Sequence, residues 1–100
     1  MNRQFMRQAQ QLQTRLAKAQ EELETILVQG AAGGGVVTVT VTGKLKATGV
    51  TIDPQAVDPN DVELLEELVL VAINEALQKA QDTAQAKMSG ITGGINFPGL

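Results

Sequence analysis

One stretch, Gly33 to Pro54, repeats its apolar residues every second position, whereas the segments on either side repeat them every third or fourth. Val37, Val39 and Val41 alternate with Thr38, Thr40 and Thr42. In an extended chain this puts valines on one face and threonines on the other, so the pattern predicts a strand with one buried face. Gly43 followed by Lys44 suits a two-residue type II′ turn, in which the first central residue needs positive φ. On the return arm the apolar residues move from odd positions (Leu45, Ala47) to even ones (Val50, Ile52), which predicts a bulge or break at Gly49. Asp53 before Pro54 is held extended, and Pro54 lacks the N–H that would continue a ladder.

Upstream, Phe5, Ala9, Leu12, Leu16, Ala19, Leu23 and Ile26 advance by alternating steps of four and three. That spacing is a heptad seam of about three heptads, filled between by Gln, Arg, Lys and Glu. A helix of roughly 25 residues would be close to 40 Å long, too long for a small hairpin to cover, so part of it must project or meet another helix. Gly30 is the expected helix stop and Ala31 to Gly35 the expected linker. Downstream, Asp58 is the expected cap of a second helix, with Pro59 in its first turn and Asp61 and Glu63 favourably placed for the helix dipole. Its apolar positions, 62, 65, 69, 72, 73, 76 and 80 together with 64, 68, 71 and 77, are too many for one buried stripe. Such a helix packs its own sheet with one flank and another subunit with the other. Asn74, within that run, is either solvent-facing or a buried amide that fixes register; the second is slightly favoured.

A chain of 100 residues makes one domain. We expect it to occupy residues 1–88, with residues 89–100, rich in Gly and turn residues, forming a flexible tail. Without cysteine or histidine there is no disulfide framework, zinc site or histidine acid/base chemistry. No window approaches the length of a membrane span and the start has no apolar leader, which leads to the expectation of a cytoplasmic protein.

The net charge of −3 hides a segregation. Residues 1–20 hold Arg3, Arg7, Arg15 and Lys18 and no acid; Lys44 and Lys46 follow at the hairpin; Asp53, Asp58, Asp61, Glu63, Glu66 and Glu67 form a block without a base. At 100° per residue the first four cations fall within an arc of about 120°, roughly opposite the heptad seam. They line a ridge about 22 Å long. A solvated polar face is the bland reading of such a ridge; doubled by a symmetric partner, the ridge also suits phosphate contacts. No aromatic residue is interleaved for stacking on single strands, and nothing resembles a base-reading set. Gly33-Gly34-Gly35 precedes a strand and opens no helix, so it fails as a phosphate-binding loop and is expected to be a hinge. The carboxylates match no calcium loop, no Ser, Lys or Tyr stands beside a recognisable base, and neither enzymatic activity, a cofactor, a metal nor a small-molecule substrate is expected.

The order of heptad helix, glycine-rich segment, GGGVVTVTVTGKLKATGVTIDP and DVELLEELVLVAINEALQKAQ resembles the YbaB/EbfC family of bacterial nucleoid-associated proteins. Its most specific parts are Gly35 with the Val-rich strand, Gly43, Ile52-Asp53-Pro54, Leu65-Glu66-Glu67-Leu68, and Ala72, Asn74, Ala76 and Lys79. The resemblance implies an α+β fold: an α-β-β-β-α protomer with a small antiparallel sheet between two long helices, and a tweezer-shaped homodimer with projecting helical arms. Three strands would follow if Gly49 divided the return arm in two. The resemblance further implies binding of double-stranded DNA with little sequence preference, in the bacterial nucleoid or cytoplasm, contributing to nucleoid organisation and gene regulation. Family contact positions do not carry over by motif, so Arg3, Arg7, Arg15 and Lys18 remain candidates on their own pattern. One departure stands out: around Lys79 and Lys87 the second helix also holds Glu75 and Asp82, leaving that arm nearly neutral. The alternative is a dimeric protein-protein interaction scaffold without intrinsic DNA binding.

Overall fold

The computed structural model describes residues 2–92. The element order is α1 (Arg3–Leu23), β1 (Leu27–Ala32), β2 (Val37–Thr42), β3 (Ala47–Ile52), a 3-10 turn (Pro54–Ala56) and α2 (Val62–Thr92). The strands form one antiparallel sheet in the order β1-β2-β3. This is the α-β-β-β-α architecture, drawn out to 71 × 25 × 16 Å.

The third strand does not come from a divided return arm. It comes from the residues read as helix end and linker: Leu27–Ala32 pairs along its whole length with β2, Leu27 opposite Thr42 and Ala32 opposite Val37. The inward positions of β1 are Val28, Gly30 and Ala32 and the outward ones Leu27, Gln29 and Ala31. That contrast in hydrophobicity is too weak to show as alternation. Gly30 is therefore not a helix stop. It is a contact point, since a β-carbon there would overlap the backbone of Ala72 and Ala76 in α2. Helix α1 ends earlier, at Leu23, where a turn closes with the Glu24, Thr25 and Ile26 amides donating to Glu21, Glu22 and Leu23.

The expected hinge at Gly33-Gly34-Gly35 is a tight turn between β1 and β2, all three glycines holding positive φ (63°, 74° and 100°). Gly43 holds no positive φ, so the expected type II′ turn is absent. Leu45 sits in the left-handed region instead, at φ 66°. The loop has three residues: Leu45 N–H donates to Thr42 O (2.9 Å) and Thr42 N–H to Lys46 O (2.8 Å). Glycine is needed at 43 because a β-carbon there would lie 2.8 Å from the Leu23 carbonyl oxygen, which accepts the Gly43 N–H. The phase slip at Gly49 is a bulge: Thr40 faces Gly49, Val41 faces Ala47, and Thr48 is the extra residue. Strand β3 continues through it.

Strand β2 supplies the core: Val37, Val39 and Val41 are buried against Ala72, Ala76 and Ala80, a stripe at every fourth residue of α2. Small residues on both sides let the helix lie close over β1 and β2. Asp61, not Asp58, caps α2, accepting the Leu64 N–H (3.3 Å); Asp58 accepts from Asn60 in the preceding turn, which holds Pro59. Asn74 is exposed in the protomer and fixes nothing there. The helix passes Met88 and Gly90 as far as Thr92, so residues 89–92 of the expected tail are helical, and residues 93–100 lie outside those described.

Candidate nucleic-acid interface

Helix α1 leaves the body as an arm. Asn2 caps it, its side chain accepting the Gln4 N–H (3.0 Å). Along the heptad seam burial rises toward the body: Phe5 is 68% exposed, Leu12 and Leu16 are half-buried, and Ala19 and Leu23 are buried. Only the C-terminal end of α1 is held, by α2, by the Gly43 amide on Leu23 O, and by the Lys87–Glu22 ion pair (2.6 Å).

On the free part of the arm stand Arg3, Arg7, Arg15 and Lys18, all exposed. Among the described residues none of the four forms a salt bridge. Arg7 and Arg15 flank a shallow groove lined by Gln10, Gln11 and Thr14. These amide and hydroxyl groups share the ridge and were missed in the sequence because glutamine is common all round this helix. Arg3 and Arg7 occupy the first turns, where the helix dipole disfavours positive charge and no acid compensates. Free backbone N–H groups and cations together make this end attractive to anions. Stability alone does not explain the arrangement.

The acids begin where the arm joins the body, and there two of the three, Glu22 and Glu24, are matched. Glu22 takes Lys87 and Glu24 takes Lys44 (3.3 Å). The Lys87 ammonium, by hydrogen bond and by charge, holds the Glu22 carboxyl below the usual carboxylate range, with Lys18 adding to the effect. Lys79 is also engaged: it reaches Glu75 (3.1 Å) and donates to Gln29 O (3.1 Å), while Glu75 accepts the Ala31 N–H (3.4 Å). These two side chains cap the outer backbone edge of β1. Lys79 first, and then the Ala31 amide, lowers the Glu75 pKa. The near-neutral second arm thus uses Lys79 and Lys87 internally.

The acidic block lies at the other end of the long axis, around the N-terminus of α2. Asp53, Asp58 and Asp61 each accept a backbone N–H, and Glu63, Glu66 and Glu67 point to solvent. Beside this end, β3 is left bare because α2 covers β1 and β2. Val50 is 54% exposed although it pairs with buried Val39. Val57, Val62, Leu64, Leu70 and Val71 are also about half exposed.

The chain has relatives among known proteins. A family model described as the YbaB/EbfC DNA-binding family matches residues 1–95. The chain belongs to that family. Among its relatives, a nucleoid-associated protein of Chloroflexus aurantiacus is 50% identical over 93 residues, 93% of each chain. One from Anaeromyxobacter dehalogenans is 50% identical over 96 residues, 96% of this chain and 93% of the other. The crystal structure of an uncharacterized Helicobacter pylori protein shares the fold, with a TM-score of 0.78 at 17% identity, covering 93% of this chain and 99% of that one.

Proposed function

We propose that this protein is a nucleoid-associated protein that grips double-stranded DNA through Arg3, Arg7, Arg15 and Lys18, with little dependence on sequence. It acts in the nucleoid, in the cytoplasm of a bacterium, where it organises DNA and so influences transcription. The single observation that carries the reading is the exposed, acid-free ridge on a projecting arm, whose cations have no salt bridge among the described residues. A ridge about 22 Å long spans roughly six base-pair steps at 3.4 Å each, matched to the backbone of one strand. Phosphate contacts position a protein without reading bases.

The functional unit is a homodimer. Two copies meeting through the bare β3 and the exposed flanks of α2 cover Val50, Val57, Leu70 and Val71, patches that a monomer leaves in water. Two arms then present eight cations. Leu70→Glu with Val71→Glu is expected to halve the mass in sedimentation equilibrium.

The deciding experiment is fluorescence anisotropy of an arbitrary labelled duplex over a range of salt. Engagement of four to eight phosphates gives a slope of log affinity against log salt of about −4 to −7. Replacing all four ridge cations by Ala flattens that slope and weakens binding about a hundredfold or more, equally on unrelated sequences. Absence of duplex binding at low salt would leave the dimeric scaffold as the reading.

A further inference from the structure

Leu45 holds a backbone conformation that glycine adopts freely and a side chain does not: φ is 66°. The loop does not require leucine. Its hydrogen bonds come from Thr42, whose N–H and carbonyl close the turn and whose hydroxyl accepts the Lys44 and Lys46 amides (3.2 Å each). The burial of Leu45 is only partial, since it remains 44% exposed. A residue kept in a costly conformation, apolar and facing water at a hairpin tip, is the kind of outlier from which function is inferred.

Its neighbours suggest what the function is. Leu45 stands between Lys44 and Lys46; Lys46 is exposed and has no salt bridge among the described residues. One side of Leu45 borders a shallow groove with Leu23 of α1 and Ala84 of α2, so the tip is seated at the base of the arm. Lys18 lies about 7 to 8 Å along α1 from Leu23, whose carbonyl accepts the Gly43 amide. Along α1 the ridge and the tip thus span about 30 Å, less than one duplex turn of about 34 Å, with the tip on the seam side of the helix and the ridge on the other. Apolar side chains flanked by cations on a β-ribbon are suited to the minor groove, where they wedge between base steps while lysines take the adjacent phosphates.

We propose that the β2–β3 hairpin tip is a second DNA contact, in which Leu45 enters the minor groove and bends the duplex while Lys46 holds its backbone. This rests on the DNA-binding reading above. The test combines duplex bending, read by energy transfer between end labels, with affinity and with thermal melting of the free protein, for Leu45→Gly and Leu45→Asn. Both residues accept positive φ, so Tm holds or rises. Affinity falls about tenfold and the end-to-end shortening of the duplex is lost. Unchanged affinity and bending in both variants, or a fall in Tm in both that accounts for the lost binding, would overturn the proposal. A parent protein that binds duplex with the expected salt dependence but leaves it straight would overturn it too, with the ridge intact. A parent that binds no duplex at low salt removes the DNA-binding reading itself, and this proposal with it.

Discussion

The two helices differ in composition and are put to opposite uses. In α2 the residues that matter most for packing are small: Ala72, Ala76 and Ala80 are fully buried, and Gly30 and Ala32 of β1 meet them. In α1 the large apolar residues, Phe5, Met6, Leu12 and Leu16, are exposed or half-buried, and only Ala19 and Leu23 are covered. One helix spends its sequence on close approach and is fixed to the sheet. The other keeps its surface available and is fixed at one end. A helix held at one end contributes little to the fold, so its exposed face is free to carry charges that folding would not select.

This contrast is open to attack. The largest effect is expected at the α2–sheet contact: Gly30→Val should cost about 3 kcal/mol or more in urea denaturation, because backbone lies where the side chain would go. At the arm joint, Leu23→Ala should cost about 2 to 4 kcal/mol. It should also raise amide exchange along α1 while α2 stays protected. On the free arm, replacing the ridge cations by Ala should change stability by less than about 0.5 kcal/mol per site, since exposed positions rarely do more. A larger loss would show that α1 is structural along its whole length. The smallest effect concerns pH. The folded Glu22 and Glu75 carboxyls lie below their usual range, so their ion pairs stabilise above that range and lose this contribution as pH falls through the folded values. Both pairs are substantially exposed, so the change should be small and screened by salt. Lys87→Ala should remove the Glu22 part of it, as read by the pH dependence of α1 amide exchange.

Much of this was legible in the chain. The valine–threonine alternation marked β2, the phase slip marked the bulge, and the heptad seam marked an arm too long to be covered. The acid-free run of residues 1–20 marked the ridge, and the structure leaves all four candidates exposed. What escaped was β1. Its inward face is Val28, Gly30 and Ala32, residues chosen so that a helix can come close, and hydrophobic periodicity is insensitive to such a face. The turns were misjudged for a related reason. Gly43 reads as a residue needed for its φ and is needed for room, while the residue with the unusual φ is a leucine. The cap of α2 shifted to Asp61 because Asp58, Pro59 and Asn60 spend themselves on a preceding turn. The groove residues Gln10, Gln11 and Thr14 have no signal of their own among so many glutamines.

The clasp of Lys79 and Glu75 on the backbone of Gln29 and Ala31 bears on how the protein avoids clumping. A small sheet has two rims, and each is a template on which another chain can add. Here two groups of the β1 rim, the Gln29 carbonyl and the Ala31 N–H, are taken by side chains of the molecule's own helix. Strand addition is therefore hindered at the Gln29 and Ala31 positions of β1, and β3 is the more open template.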